Sequence, residues 1–206
     1  MLALNPTFVE TSISPDESVL DQARAGDPEA FGEICRLHSS RLLRQAMTLC
    51  GNQTQAEELA QDTFVEAWKS FHRFNGRCQL FTWLCAILLN RHRNFLRENR
   101  RLDQFVTRES AHSQGEAVID PALAPDCSAQ SRESARQLQE LIAKLPAKHQ
   151  QVIFLRFYVD DSLESIAAAL GCSVGTVKSR LFHALEKLRC MRPVDAGAPA
   201  PRRKQA

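Results

Sequence analysis

No stretch of this chain reaches the ~18 consecutive apolar residues that a membrane-spanning helix requires. Its most apolar run, Leu80 to Leu89, is short and interrupted by Thr82. The N-terminal MLALNPTFVETSISPDE lacks the basic start and long apolar core of a leader peptide. These absences predict a cytoplasmic protein with no direct membrane insertion. The seven cysteines, Cys35, Cys50, Cys78, Cys85, Cys127, Cys172 and Cys190, include no CxxC pair. An odd, scattered set of this kind reads as reduced thiols packed as small apolar groups. Neither the cysteine nor the histidine spacing fits a structural zinc site, so no metal is expected. No segment sustains the two-residue alternation of a half-buried strand. Nor is there an activated nucleophile, a pair of catalytic carboxylates or a phosphate-cradling loop. The expectation is a non-enzyme without cofactor or small-molecule substrate.

What the 206 residues do contain is helix, signalled from end to end. Hydrophobic content of 44% and charged content of 24% are those of a globular chain. Ser14-Pro15-Asp16-Glu17 supplies a cap, a first-turn proline and a glutamate three residues after the cap; Asp27-Pro28 repeats the start, with Gly26 closing the helix before it. Thr54 and Glu57 make a further capping box behind Gly51. Apolar positions keep helical step, first through Phe31, Ile34, Cys35, His38, Leu42, Ala46 and Leu49, then through Ala56, Leu59, Ala60, Thr63, Phe64, Ala67 and Phe71. From Leu102 to Gln130 the period fades among glycine, proline, serine and alanine, with five acidic residues against Arg108. That composition reads as an acidic linker. Helical pattern resumes at Leu138, Leu141, Ile142 and Leu145. The fold class is therefore all-α, with two small helical domains joined by a flexible linker. The boundaries fall at an N-terminal extension 1–14, a first domain 15–101, the linker 102–130, a second domain 131–192 and a disordered tail 193–206.

The second domain carries SLESIAAALGCSVGTVKSRLFHALEKLR. Asp161 or Ser162 can cap a first helix with an apolar face of Leu163, Ile166, Ala167 and Leu170; Gly171 stops it, and Ser173 can cap a second. Ala167, a glycine four residues on and an apolar residue six beyond that suit two helices crossing through a tight turn. The second helix would bury Val174, Val177, Leu181, Leu185 and Leu188 and present Gly175, Thr176, Lys178, Ser179, Phe182, His183 and Glu186. An outward aromatic among basic residues suits contact with thymine methyls and sugars, and the cations suit phosphate or purine edges. A helical hairpin with an incidental basic face is the plainer reading, but turn, core stripe and exposed face agree on DNA.

Local charge separates two neighbouring segments of the first domain. Gly51 to Ala67 contains Glu57, Glu58, Asp62 and Glu66 and no Lys or Arg, whereas Trp68 to Arg101 contains eight basic residues against Glu98 alone. Opposite signs on adjacent elements point to two different partners, one a basic protein surface and the other nucleic acid. In the basic segment Leu84, Ile87, Leu88 and Phe95 form an inward stripe, leaving Asn90, Arg93, Asn94, Arg97 and Arg101 on one outward line that Trp83 and Ala86 extend. Asparagine with arginine can read base edges while neutralising phosphate. The preceding turn, Phe74-Asn75-Gly76-Arg77-Cys78-Gln79, sets polar groups and an aromatic beside the helix start, as capture of an unstacked base requires. For any single arginine a solvated basic face remains the plainer alternative.

Two long segments resemble a known family. AEELAQDTFVEAWKSFHRFNGRCQLFTWLCAILLNRHRNFLRENRR is similar to the second conserved region of bacterial sigma-70-type factors of the extracytoplasmic-function (ECF) group, and LPAKHQQVIFLRFYVDDSLESIAAALGCSVGTVKSRLFHALEKLR to their fourth. The resemblance implies that the chain binds core RNA polymerase, directs it to promoter DNA and helps melt it. It implies a core-polymerase contact at Glu58, Gln61, Asp62 and Glu66, with Phe64 as core support. It implies minus-ten recognition by Phe74, Asn75, Arg77, Trp83, Asn90, Arg93, Asn94 and Arg97, where the 74–80 turn captures a flipped base and Arg93 meets the backbone. Minus-thirty-five recognition falls on Gly175, Thr176, Lys178, Ser179, Phe182 and His183; His183 stands where many relatives carry arginine. The acidic linker would follow the polymerase channel, and an anti-sigma factor is an implied partner. Two alternatives stay open: a ligand-responsive helix-turn-helix regulator that does not replace the sigma factor, and a zinc enzyme.

Overall fold

Gly51 adopts φ of +64° and closes a helix by donating its N–H to the Met47 carbonyl at 2.9 Å. Asn52 follows at once and opens the next helix, its Oδ1 accepting from the Gln55 N–H at 3.1 Å. This glycine–asparagine pair makes the corner between two long helices of the first domain. The computed structural model describes residues 15–106 and 129–191. Among them the backbone forms α1 (Glu17–Arg24), α2 (Pro28–Cys50), α3 (Gln53–Ser70), α4 (Leu80–Val106), α5 (Ala129–Ala143), α6 (Ala147–Phe157), α7 (Leu163–Ala169) and α8 (Val174–Met191), with a 3₁₀ turn at Phe71–Arg73. Among the described residues there is no strand, as an all-α chain predicts.

The helix starts refine the expectations. Asp27 caps α2, accepting from the Glu29 and Ala30 N–H groups, with Pro28 at the first helical position. At α3 the cap is Asn52 and not Thr54, which lies inside the first turn. The physical reason is position: Asn52 is the first residue past the left-handed glycine, and its short amide reaches the orphan N–H groups. At α1 the cap is Asp16, whose backbone carbonyl accepts from Val19 and Leu20; Ser14 lies outside the described residues. Helix α4 runs on to Val106 and α5 begins at Ala129, so both enter the stretch 102–130 assigned to the linker. The rest of that stretch, Cys127, the extension 1–14 and the tail 193–206 lie outside the described residues.

Helices α1 to α4 pack as one group and α6 to α8 as another, with α5 against α8. The two groups meet where α4 touches α6 and α7. One apolar cluster runs through both, from Ile34, Leu42, Leu84 and Leu88 to Leu155, Ile166 and Val177. Burial of each such side chain contributes ~1.5–3 kcal/mol. Enclosure from both sides explains the density of apolar residues at the start of α4: Leu80, Phe81, Thr82, Leu84, Cys85, Ala86, Leu88 and Leu89 are all buried. Ala86, expected on the outward line, is thus a core residue. In α8 the buried positions are Val177 and Ala184, with Leu181 and Leu188 half-buried, while Leu185 is exposed. The seam rotates to the i, i+4, i+7 positions because α6 and α7 approach α8 on the side where alanine leaves room.

Candidate nucleic-acid interface

Beyond Leu89 the surroundings of α4 change. Asn90, Asn94 and Arg97 are exposed and Arg93 half-buried, while Phe95 and Leu96 stay half-buried. The helix therefore carries amide and guanidinium groups outward on a backbone that its own first half anchors in the core. Such anchoring matters because a donor pair discriminates a base only when its geometry is fixed. One of these groups is already engaged: Gln151 Nε2 of α6 donates to Asn90 Oδ1 at 2.9 Å.

The turn leading into α4 is shaped from outside itself. Arg24 of α1 donates through Nε to the Phe74 carbonyl at 2.9 Å, and its guanidinium carbon lies 5.7 Å from the centre of the Phe74 ring. Asn75 Oδ1 accepts from the Arg77 N–H at 3.1 Å, and Gly76 takes φ of +71° to complete the bend. Asn75 and Arg77 are exposed, but Phe74 is only 3% exposed. Its ring packs on Phe71 and Trp83 with centroids 5.8 and 5.4 Å away. Phe74 is therefore a wedge beneath the turn and offers no free face to a base, whereas the resemblance implied that it takes part in minus-ten recognition. The aromatic step is hidden because Arg24 and the 3₁₀ turn fold the chain back over it. Trp83 is half-buried, its ring 5.7 Å from that of Phe71 and 5.4 Å from that of Phe74 between centroids.

On α3, Glu58, Gln61 and Asp62 are exposed along one face and Glu66 is half-buried. Phe64 is half-buried against the core, a supporting position. Arg91 of α4 forms an ion pair and hydrogen bond with Asp62. That bond, opposed by desolvation and aided by the charges of Asp62, Glu66 and Glu98, raises the Arg91 pKa further. Beside this pair a groove lined by Glu58, Leu59, Asp62, Arg91, Asn94 and Phe95 runs between the acidic and the basic helices. The two surfaces of opposite sign are thus neighbours that share a seam.

The second domain builds its reader by capping. Ser162 Oγ accepts from the Ser165 N–H at 3.1 Å at the start of α7, and Ser173 Oγ accepts from the Thr176 N–H at 3.1 Å at the start of α8. Gly171 at φ of +61° makes the bend between them. Gly175, Lys178, Ser179, Phe182 and His183 are exposed; Thr176 is half-buried and bonds Ser173 through its hydroxyl at 2.9 Å. Phe182 is 63% exposed, and its ring meets that of His183 edge-on with centroids 5.5 Å apart. Burial lowers the pKa of His149 on neighbouring α6, and Lys187, His183 and Arg180 lower it further. The flank of the reader is therefore cationic, as a phosphate-facing surface requires.

Sequence reasoning missed Arg24, Thr82, Gln151 and Asp161 as organisers of these surfaces. Asp161 is 6% exposed and accepts from the Thr82 hydroxyl across the domain boundary, from the Ser165 hydroxyl at 2.6 Å and from the Ser162 N–H at 2.6 Å. The only signal was a polar residue amid apolar neighbours: Thr82 within Leu80–Leu89 and Gln151 before Val152-Ile153-Phe154-Leu155. Among the described residues no group of three or more His, Cys, Asp or Glu could hold a metal ion.

The family model "Sigma-70 region 2" matches residues 34–102, and "Sigma-70, region 4" matches residues 135–188. The chain is 30% identical to the RNA polymerase sigma factor CnrH of Cupriavidus metallidurans, over 88% of this chain and 96% of that one. It is 31% identical to the ECF RNA polymerase sigma factor RpoE of Cereibacter sphaeroides, over 79% and 86%. Among solved structures it resembles the sigma factor RpoE in complex with the anti-sigma factor NepR from Bartonella quintana, with a TM-score of 0.57 and 28% identity over 80% of this chain and 98% of that one. It also resembles CnrH in complex with the cytosolic domain of CnrY, with a TM-score of 0.54 and 25% identity over 84% and 94%.

Proposed function

The chain belongs to the ECF group of the sigma-70 family, and from that premise we propose how its surfaces divide the work of directing RNA polymerase to promoters. The exposed carboxylates of α3, Glu58 and Asp62 with Gln61 and Glu66, dock on core polymerase. Asn90, Asn94 and Arg97 of α4, with Asn75, Arg77 and half-buried Trp83, read the minus-ten element; Arg93 contacts its backbone, and Phe74 supports the turn from below. Gly175, Thr176, Lys178, Ser179, Phe182 and His183 of α8 read the minus-thirty-five element. Unstacking a base costs a few kcal/mol, and stacking or hydrogen bonding on the protein offsets about that much. Base capture thereby drives melting without ATP. The polymerase supplies the chemistry, so the chain itself is no enzyme and works where the polymerase does, in the cytoplasm. An anti-sigma factor is its regulatory partner, as NepR is for its structural relative.

The observation that carries this reading is the adjacency of an acidic helix face and an asparagine–arginine helix in one domain, with a second domain whose helix exposes Phe182. A ligand-responsive regulator has no use for the first two and is not favoured. The test is transcription from a candidate promoter by purified core polymerase with and without the chain. Promoter-dependent transcripts only in its presence support the reading; tight duplex binding by the chain alone, with no effect on core, rejects it.

A further inference from the structure

Helix α1 ends beside the turn that leads into α4, and its last residue reaches across to it. Ala23, 2% exposed, fixes the helix in the core, and α1 packs on the 3₁₀ turn at Phe71–Arg73. Arg24 follows at once, and each nitrogen of its guanidinium has a place of its own. Nε donates to the Phe74 carbonyl at 2.9 Å, Nη1 pairs with exposed Asp21 one turn back on α1, and Nη2 lies 3.7 Å from where a side chain on Gly76 would begin. The guanidinium carbon is also 5.7 Å from the centre of the Phe74 ring. One planar group thus grips the turn at its first residue and at its tip.

The turn needs that grip. Phe74 is only 3% exposed, so without Arg24 its carbonyl would be a buried acceptor short of a donor. The Phe74 N–H is already given to the Phe71 carbonyl at 2.9 Å. Beyond Phe74 the shape rests on left-handed Gly76 and on the local bond from the Arg77 N–H to Asn75 Oδ1, both exposed to competition from water. Asn75 and Arg77 take their direction from this backbone, and a recognition group works only when its geometry is held to within ~0.5 Å. A lysine at position 24 would keep the charge but is a single point donor, unable to serve the carbonyl, Asp21 and the tip together.

We propose that Arg24, braced by Asp21, is a positioning residue for base capture. It holds the Phe74–Gln79 turn in the shape that receives an unstacked minus-ten base, which makes α1 a working part of the minus-ten reader. Arg24 acts through the turn and touches no base. This inference rests on the proposed role of the turn, but the brace itself is testable apart from DNA.

The experiment uses holoenzyme reconstituted from core polymerase and the full chain, as wild type, Arg24→Met, Arg24→Lys or Asp21→Ala. Its probe is a single-stranded minus-ten oligonucleotide in which each base in turn is replaced by an abasic site. In the wild type, loss of the captured base should weaken binding by roughly tenfold. Arg24→Met should weaken binding of the intact oligonucleotide by a similar factor and erase the abasic penalty at that one position, because a misplaced turn no longer tells a base from a gap. Arg24→Lys should behave like Arg24→Met, and Asp21→Ala should fall between them and wild type. A common loss with the abasic profile unchanged marks a merely structural residue, and wild-type behaviour of Arg24→Lys marks a charge that only attracts phosphate; either result overturns the proposal. If circular dichroism shows Arg24→Met unfolded, Asp21→Ala, which removes an exposed carboxylate, carries the same test. Amide hydrogen exchange in the free chain judges the brace separately: the Arg77 N–H should exchange about tenfold faster in Arg24→Met, and unchanged exchange overturns the brace. A wild-type profile with no sensitive position rejects base capture by the turn, while the exchange result still decides whether Arg24 holds it.

Discussion

At the scale of single residues, exposure separates side chains that recognise from side chains that support. Asn90→Ala should weaken promoter opening more than closed-complex formation, and Phe182→Ala should chiefly weaken upstream recognition. A base contact is worth ~1–3 kcal/mol, so each loss should be roughly 5- to 150-fold in the step concerned. Permanganate footprinting of melted thymines and gel-shift of the closed complex distinguish the two steps, and equal effects of both changes on one step would refute the assignment. Phe74→Ala should behave differently, because its ring is buried against Phe71 and Trp83. It should cost ~3–5 kcal/mol of folding stability by denaturant titration, a loss not confined to DNA steps. Titration adds a further expectation. Burial, helped by the charge of Arg41, lowers the pKa of His38, and burial also lowers those of His92 and His149. An unfolded histidine binds a proton near pH 6.5 that the folded one resists, so this stability is complete above about pH 6.5 and is lost as the pH falls below it. Thermal melts at pH 7.5 and 5.5 should show that loss, and His38→Leu should reduce it.

At the scale of helices, caps and chain reversals fix the directions in which the readers point. Asn52→Ala should destabilise the first domain by about 1 kcal/mol and Thr54→Ala by far less, since only Asn52 satisfies an orphan N–H. The reverse order in urea titrations would restore Thr54 as the cap. Ser173→Ala removes the acceptor that starts α8. It should cost a similar amount and loosen the reader without touching a base. Helix α4 illustrates how one element serves two purposes. Its first half is packed by α2 and α3 on one side and by α6 and α7 on the other, whereas its second half leaves that enclosure. The apolar-to-basic switch at Asn90 follows that change: beyond it α4 keeps only one flank on α3, through Arg91 and Phe95.

At the scale of the whole molecule, charge sets how the chain meets its partners. The acidic face of α3 sits beside Arg91, which already holds Asp62. A partner that docks there exchanges one ion pair for another, so Glu58→Lys should weaken core association more than Asp62→Ala. The effect should shrink at high salt, where exposed charges are screened within ~3 Å at 1 M. Binding titrations at two salt concentrations measure both. The thiols take no part in this electrostatics. Burial pushes Cys35, Cys50 and Cys78 up to about 11, so they stay protonated at neutral pH. Iodoacetamide at pH 8 should label exposed Cys190 well before them.

Much of this was legible in the chain by itself. Helical period alone predicted the buried stripe of α2, because residues three and four apart must share a face wherever the helix sits. Asp27-Pro28, Gly51, Gly171 and Ser173 announced their corners, because caps act within one turn. The exposure of Asn90, Asn94 and Arg97 on α4 and of Phe182 on α8 followed from the same local rule. Only the tertiary structure decided that Ala86 is core, that Phe74 is a wedge and that Leu185 faces water. Only it joined Thr82 to Asp161 and Gln151 to Asn90. Those pairs lie 79 and 61 residues apart, and periodicity carries no information across a linker about which faces will meet.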